Sequence, residues 1–554
     1  MYFQVTMIAA KGPALTIDVS TQTTYQTEIA DVLEQFIGGR GAATKLAHDE
    51  IPFDADPFGP ENSLFFSTGP LQMSRMSFTG RMNLTGLSPL TNGLLSSNAG
   101  GYLSRNFAAT GNSVVEITGK SEELIAIRVS DEGVAFEEVP QLSGATVPEV
   151  TAYMEDQHGL TEDHLAQIGP AGENRVRFAS VMTSNSRAFG RGGLGAVMGS
   201  KNVKCISFEG NATPDIDLPE DVQKTVHKEA AQADDLMKRR GTNDATEWIM
   251  ENFSIPTRYF EKYEFDGIAG INGERIEEKK YKKGTCSTCA FACKLPTRDE
   301  ESGIETEGPE FETVFSFGTN CEVDDIVSVM KSNQLCDELG LDTISAGNVV
   351  AAYLKAHDEF GNSGLIHELV RDIAYRDGDG DMLAEGIHRF HEALGVHDYT
   401  VKGLEFAAHD GRVLHGQGLS YAVANRGADH LYSVMLALEY GGDLKPEGLD
   451  GKASRLVTEE NRMALRDSAV VCEFSRKYVP ADAFEALLDA EYEQLLDVGS
   501  KIVNLERHFN NQRGMGGDHD MLPYDVPGLQ DAIAEYYTHR QWNQDGTVPE
   551  SMVP

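Results

Sequence analysis

The rhythm of hydrophobic and polar positions changes partway along the chain. Before residue 212, apolar residues come in short runs such as Phe3–Val5, Leu15–Val19 and Val114–Ile117, separated by stretches rich in Gly, Ser and Thr. Short runs bounded by turn residues predict β-strands. ATPDIDLPED (212–221) follows neither rhythm and predicts a linker. Beyond it a helical period sets in over 219–239, 324–339, 344–356, 366–375 and 382–394, with Ile326, Val329 and Met330 on one face of the second. Gly and charge mix over 395–412, a second boundary, and helical spacing returns from 458 to 537. The fold class this predicts is α+β and multidomain: a β-rich segment 1–211, then two mainly α-helical segments, 212–400 and 401–554.

Composition narrows the partners. The 554 residues are 40% hydrophobic, enough to build several cored domains. Against 47 Lys+Arg stand 87 Asp+Glu, a formal charge of −40. Such a surface repels phosphate backbones and anionic lipid, so neither nucleic acid nor a membrane surface is an expected partner. No window approaches the roughly 18 apolar residues of a membrane span. The opening MYFQVTMIAAKGPALTIDVS reads as a pair of strands and not as an export signal, so the expected location is the cytoplasm. Acid-rich turns such as DEGVAFEEV (131–139) and RDGDGD (376–381) favour a halophilic source over an ordinary acidic protein. In molar salt the Debye length falls to about 3 Å and self-repulsion is screened.

Seven cysteines fall at 205, 286, 289, 293, 321, 336 and 472. An odd number with three bunched together is not a disulfide framework. Cys286-Ser-Thr-Cys289-Ala-Phe-Ala-Cys293 is a C-x2-C-x3-C run, the reverse of the spacing used in S-adenosylmethionine radical chemistry. Three thiolates on one loop can hold three corners of an iron–sulfur cube, with a fourth ligand from elsewhere. They can equally hold a structural zinc with a distant fourth donor. Cys472, in RDSAVVCEFSRKY, is one candidate for that donor; Cys321 and Cys336 are others, and spacing does not choose. Cys205, like any thiol not used, reads as a small buried hydrophobe.

Several motif-like strings fail on context. Gly190-Arg-Gly192-Gly-Leu-Gly195 matches G-x-G-x-x-G but is expected to run into a strand and the linker, outside any βαβ unit. Gly199-Ser200-Lys201 reverses the P-loop order. Asp377, Asp379 and Asp381 begin like a calcium loop, yet Met382 and His388 occupy the places of its Gly and Glu. Glu310 and Glu312, in GPEFET, and His430, in NRGADHL, are acid–base candidates; either type of residue is more often structural, and burial beside a cofactor would make it a proton carrier.

In their order along the chain these segments resemble the aldehyde:ferredoxin oxidoreductase family of tungsten–pterin enzymes. The resemblance rests on IGGRGAATKLAHDE (37–50), TGRMNLTGLSPLTNGLLSSNAGGYL (79–103), GPAGENRVRFA (169–179) and GRGGLGAVMGSKN (190–202). It continues through DELGLDT (337–343), GDMLAEGIHR (380–389), YAVANRGADH (421–430), LPYD (522–525) and YYTHRQW (536–542). It implies a β-rich N-terminal pterin-binding domain over 1–211. A helical domain over 212–400 would carry the cysteine run and one pterin loop, and a C-terminal domain over 401–554 the second loop and the fourth cysteine. The implied cofactors are a [4Fe-4S] cluster, and one tungsten, or molybdenum, between two pyranopterins with no protein side chain on the metal. Mg2+ would bridge the pterin phosphates.

By position, Arg81 and Asn98 fall where the family contacts those phosphates and the magnesium, and Ala188 where a carbonyl completes that ion's site. A guanidinium forks onto phosphate and a hard dication takes oxygen donors. Asp337, Gly340, Leu341 and Asp342 match the first pterin loop, D-x-x-G-L-D. The second, D-x-x-G-L-C, corresponds to Asp467-Ser-Ala-Val-Val-Cys472, which makes Cys472 the fourth cluster ligand beside Cys286, Cys289 and Cys293. Val-Val replaces Gly-Leu, and a β-branched residue disfavours positive φ, so this loop is expected to depart from the usual form. Glu312 and His430 align with the family's active-site pair: Glu312 as base toward water, His430 as donor to the carbonyl oxygen. The implied activity is oxidation of an aldehyde to a carboxylic acid with electrons passed to ferredoxin. Relatives that reduce aromatic thioesters or carboxylates, or act on sugar phosphates, are the alternative, and a zinc-stabilised scaffold the competing class. A homodimer is compatible with the resemblance, although no ligands for an intersubunit metal stand out.

Overall fold

The computed structural model describes residues 7–554, so the Phe3–Val5 run lies outside the described residues. Strands β1 (Ala14–Asp18), β2 (Thr23–Thr27), β3 (Leu64–Ser67), β4 (Arg81–Leu87), β5 (Leu94–Gly100) and β6 (Val114–Thr118) form one six-stranded sheet in the order β2-β1-β6-β3-β4-β5. Strands β7 (Ile125–Ser130), β8 (Gly133–Glu138), β9 (Leu165–Gln167), β10 (Val181–Thr183), β11 (Arg187–Phe189) and β12 (Val203–Phe208) form a second, in the order β11-β10-β9-β12-β7-β8. β1 runs parallel to β6 and β12 parallel to β7, and the other pairings are antiparallel.

Strand alternation decides what each face does. Ile17, Phe66, Leu84 and Ile117 of the first sheet share one apolar core with Ile127, Phe189 and Ile206 of the second. On β4 and β5 the intervening residues Asn83, Thr85, Ser96 and Asn98 are polar, with the Thr85 and Ser96 hydroxyls 2.7 Å apart. That side of the sheet is covered by the helix Gly39–Glu50 and the C-terminal helix Tyr492–Gln512, while the helix Lys452–Ala469 packs on both helices. A polar wall is thereby turned inward, toward the C-terminal half.

The glycine-rich run departs from its expected course into a strand. A short helix, Leu194–Ser200, intervenes before β12. Its Gly199 approaches the backbone so closely that a Cβ would stand 2.0 Å from the Gly172 carbonyl oxygen. The glycine there serves backbone-to-backbone packing of Pro170–Glu173 against Leu194–Ser200, not a phosphate turn.

Between Phe208 and Glu220 there is no regular element, and helices dominate from there on. The 219–239 window is two helices, Glu220–Gln232 and Met237–Arg240, and the 382–394 window is likewise split, into Gly380–Leu383 and Ile387–Leu394, by Gly386 at φ +85°. Ile326–Leu339, Thr343–His357 and Ser363–Tyr375 follow the other predicted spans. Helices on both sides of residue 400 share one core, with Phe315, Val350 and Leu369 in the same cluster as Leu419, Leu465 and Ile502. Among the described residues, no helix is long and apolar enough to cross a membrane.

Candidate active site

Cys286, Cys289, Cys293 and Cys472 line a single cavity of about 180 Å³ together with Arg81, Asn98, Arg187 and Ala188. The first three sit on the irregular loop after Lys283, where Cys289 N–H donates to the Cys286 carbonyl at 3.1 Å. Cys472 arrives from the end of the helix Lys452–Ala469, held by its N–H on the Phe78 carbonyl at 2.8 Å. Cys205, Cys321 and Cys336 are fully buried elsewhere and do not line this cavity. The Arg81 guanidinium lies 3.4 Å from both the Cys472 sulfur and the Asn98 Oδ1. Asn98 Nδ2 in turn donates to Asp467 at 3.4 Å. Gly100 leaves room for the loop here, since a Cβ on it would stand a tight 3.1 Å from the Cys286 sulfur.

The two loops named from sequence have the same backbone geometry. The helix Ile326–Leu339 ends on Gly340 at φ +79°, ψ +50°, with the Gly340 and Leu341 N–H groups both on the Cys336 carbonyl. The helix Lys452–Ala469 ends on Val470 at φ +59°, ψ +41°, with the Val470 and Val471 N–H groups both on the Arg466 carbonyl. The expected departure of the second loop is therefore corrected: Val470 adopts the left-handed conformation, at a cost of about 1–2 kcal/mol for an L-residue. Burial of Val470 and Val471 in the core holds it there.

Asp337 and Asp467 occupy equivalent places, three residues before these turns. Both are half-buried by exposure yet set deep in the protein, and burial pushes both carboxyls up, against the opposing pull of Arg187 on Asp337 and of Arg40, Arg426 and Arg81 on Asp467. Their contacts are long: 3.2 and 3.5 Å from Asp337 to Asn333 and Thr306, and 3.3 Å from Asp467 to Arg40. Asp342 differs. Its oxygens accept the Ile344 and Ser345 N–H groups and the Ser345 hydroxyl, capping the helix Thr343–His357, and its Oδ2 also takes Arg191 at 3.2 Å. It is a helix cap and an anchor.

Glu310 and Glu312 part company at the start of the helix Phe311–Phe317. Glu310 faces the cysteine cavity, where it accepts from Thr242 at 2.6 Å and lies 3.6 Å from Arg187. Glu312 turns to a cluster of imidazoles. Its Oε2 accepts the Ala408 N–H at 2.8 Å, and its Oε1 lies 3.0 Å from His409 Nε2 and 3.7 Å from His430 Nε2. Although both are set deep in the protein, Glu312 and His430 keep 13% and 15% side-chain exposure.

Burial alone would raise the Glu312 carboxyl, but His430, His409 and the Ala408 amide outweigh it and hold it down to about 2. Burial lowers His430 from its ordinary 6.5, only partly offset by Glu312 and Asp429. At neutral pH the pair is a carboxylate beside a neutral imidazole. The His430 Nδ1 is buried with no hydrogen-bond partner, as are the hydroxyls of Tyr421 and Tyr524. Unpartnered buried polar atoms of this kind are unusual unless something is bound to them.

Three residues that sequence reading did not single out organise this region. His409 bridges Glu312 to the Tyr440 hydroxyl, 2.9 Å from its Nδ1, and stacks on Phe311. Arg191, in the glycine-rich run, donates to the Ala428 carbonyl at 3.0 Å and the Glu405 carbonyl at 2.6 Å besides Asp342, tying the His430 segment to the first loop. Arg40, in the opening glycine motif, forks onto Glu506 at 2.8 Å on both arms and reaches Asp467. The only sequence signal for the two arginines was their position inside glycine-rich runs; His409 had none.

The donor set fits the implied cofactors. Four thiols around one cavity suit an iron–sulfur cluster. The half-buried guanidiniums of Arg81 and Arg187 and the amide of Asn98 offer anion and cation contacts on the same wall, and the weakly engaged Asp337 and Asp467 can accept from a polar ligand.

The N-terminal domain model of aldehyde ferredoxin oxidoreductase matches residues 14–210, and the model of domains 2 and 3 matches 218–553. A tungsten-containing aldehyde ferredoxin oxidoreductase of Pyrococcus furiosus is 34% identical over 95% of this chain and 94% of its own length. Its counterpart in Thermococcus kodakarensis is 33% identical over 97% of each. The active-site complex BamBC of benzoyl coenzyme A reductase, solved with 1,5-dienoyl-CoA, superposes with a TM-score of 0.84 over 98% of this chain and 96% of its own, at 20% identity, a likeness of fold.

Proposed function

Because the chain belongs to the aldehyde ferredoxin oxidoreductase family, an oxidoreductase family, we propose that it oxidises an aldehyde to a carboxylic acid at a tungsten or molybdenum pterin centre, passing electrons through a [4Fe-4S] cluster to ferredoxin. The observation that carries this reading is the meeting of Cys286, Cys289, Cys293 and Cys472 on one cavity beside Arg81 and Asn98. The four cysteines would hold the cluster. Arg81 would bind the pterin phosphates, with Asn98 and the Ala188 carbonyl supplying oxygens to Mg2+, and Asp337 and Asp467 would accept from the two pterins. The metal–pterin group, when bound, supplies the two-electron acceptor.

The overall change is one aldehyde and one water giving a carboxylate, three protons and two electrons. A carboxylate held near 2 is a weak base, because proton transfer is most effective when the acceptor's pKa lies near the working pH. Glu312 therefore acts chiefly by accepting a hydrogen bond from the reacting water and fixing its direction. The Glu312 anion favours the His430 proton on Nε2, which leaves Nδ1 as the acceptor that takes up a proton. His409, between Glu312 and Tyr440, keeps the carboxylate in place.

Anaerobic purification and elemental analysis test the reading. About four irons and one tungsten or molybdenum per chain, with viologen reduction by an aldehyde, support it. Zinc in place of iron and tungsten would sink it, and metal-loaded protein that turns over only a thioester or a sugar phosphate would move it to another substrate.

A further inference from the structure

In a chain of net charge −40, one face is strongly basic. Residues 238–240 and 274–283 carry eight cations against the glutamates Glu274, Glu277 and Glu278, a net of five positive charges. The two stretches touch: Lys280 donates to the Lys238 carbonyl at 2.7 Å, and Arg239 and Arg240 both approach Glu277. Lys282 and Lys283 are exposed, and Arg239 keeps 60% side-chain exposure. Lys279 is spent on Asp299, and Arg298 on Glu305 beside Tyr281, so the positive charge with no carboxylate partner is that of Lys238, Lys282 and Lys283, beside Arg239, which shares Glu277 with Arg240.

This face lies directly over the cysteine loop. Lys283 is three residues before Cys286, and Gly284 pairs with Lys294 just after Cys293. The Lys238 ammonium sits 5.6 Å above the ring of Phe291, which lines the cysteine cavity. Phe291 in turn packs on Phe78 and Tyr478, and Lys477, at 81% side-chain exposure, extends the rim. Cys286, Cys289, Cys293 and Cys472 all keep partial exposure, and the first three follow directly on this face in the chain.

We infer that the basic face formed by Lys238, Arg239, Lys282 and Lys283 is the docking surface for an acidic one-electron carrier protein. The inference rests on the cluster reading above. Each carrier accepts one electron from the cluster, so two carriers are reduced per aldehyde oxidised. A chain of net charge −40 repels such a partner on the whole, and this local patch of opposite sign then selects the orientation in which cluster and carrier are close. Steering of this kind raises association rates by about 10- to 1,000-fold and fades as salt rises.

The test uses the holoenzyme and a strongly acidic [4Fe-4S] ferredoxin. Direct binding is measured by calorimetry from low to moderate salt, alongside aldehyde-dependent reduction of ferredoxin and, separately, of benzyl viologen. Lys282→Glu/Lys283→Glu is compared with Lys120→Glu, at the end of the first sheet away from Arg81. The expected result is a ferredoxin Kd and KM about tenfold higher in the double variant, a shallower salt dependence, and unchanged viologen turnover; Lys120→Glu leaves all of these as in the wild type. Equal ferredoxin affinity in the double variant, or equal loss in Lys120→Glu, overturns the inference. Loss of viologen turnover in the wild type would instead count against the aldehyde reading, because binding is measured independently.

Discussion

Glu312→Gln removes the charge at the centre of the imidazole cluster while keeping an oxygen to accept the Ala408 N–H. Relative to an ordinary value of 4.5, the depression of Glu312 to about 2 means its surroundings favour the anion by about 3 kcal/mol. A group depressed in the folded state adds stability above its unfolded pKa of 4.5, and that contribution is lost only as pH falls toward 2. Glu312 is thus ionised throughout a pH 5–9 assay and cannot produce an acid limb in it. Of the two, His430 is the group that can give an acid limb, being neutral at pH 7 and displaced below 6.5. Because Glu312 raises His430, the glutamine must move that limb to lower pH. Loss of water orientation should reduce kcat by about 10²–10⁴-fold, the range typical of a positioned acid–base group. The assay is aldehyde-dependent viologen reduction against pH, with iron content as the check on folding. Turnover within tenfold of wild type, or a residual acid limb that stays put or moves up, would refute the reasoning.

Cys472→Ser should lower iron to well under four per chain and bleach the visible absorption, whereas Cys336→Ser should leave iron unchanged, since Cys336 is buried outside the cavity. Gly340→Val should cost about 2 kcal/mol or more in denaturant unfolding, because a Cβ there meets the Gly169 nitrogen at 2.9 Å as well as the positive φ. Val470→Gly should change stability by less than about 1 kcal/mol, relief of strain offsetting lost burial, and should retain the cluster. Arg191→Met should cost about 3–5 kcal/mol as a broken buried pair, and its acid limb in kcat/KM should move up, since Arg191 holds His430 down; a limb unmoved in that variant would separate Arg191 from the site.

The sequence by itself determined the local events. Period and turn residues were enough for the β-rich first part, the linker near 212–221 and most helix spans, because those depend on neighbours within a few residues. The C-x2-C-x3-C run was legible for the same reason: three of its thiols are local. Splits at Ala233–Leu236 and Gly386 were not, since the helical period of side chains continued across a break set by backbone.

Only the tertiary structure decided the rest. Spacing left Cys321, Cys336 and Cys472 equivalent, and folding brought Cys472 alone of the three to the cavity. Two glutamates two residues apart were indistinguishable until a helix start sent Glu310 toward thiols and Glu312 toward His409 and His430. Asp342, read as a ligand contact, also takes Arg191 from the glycine-rich run, a partner no local pattern announced. Val470 was expected to spoil its loop, yet core packing around it supplies more than the local preference withholds. In each case the deciding contact is with a residue distant in sequence, and a local pattern carries no record of which distant groups will share its low-dielectric surroundings.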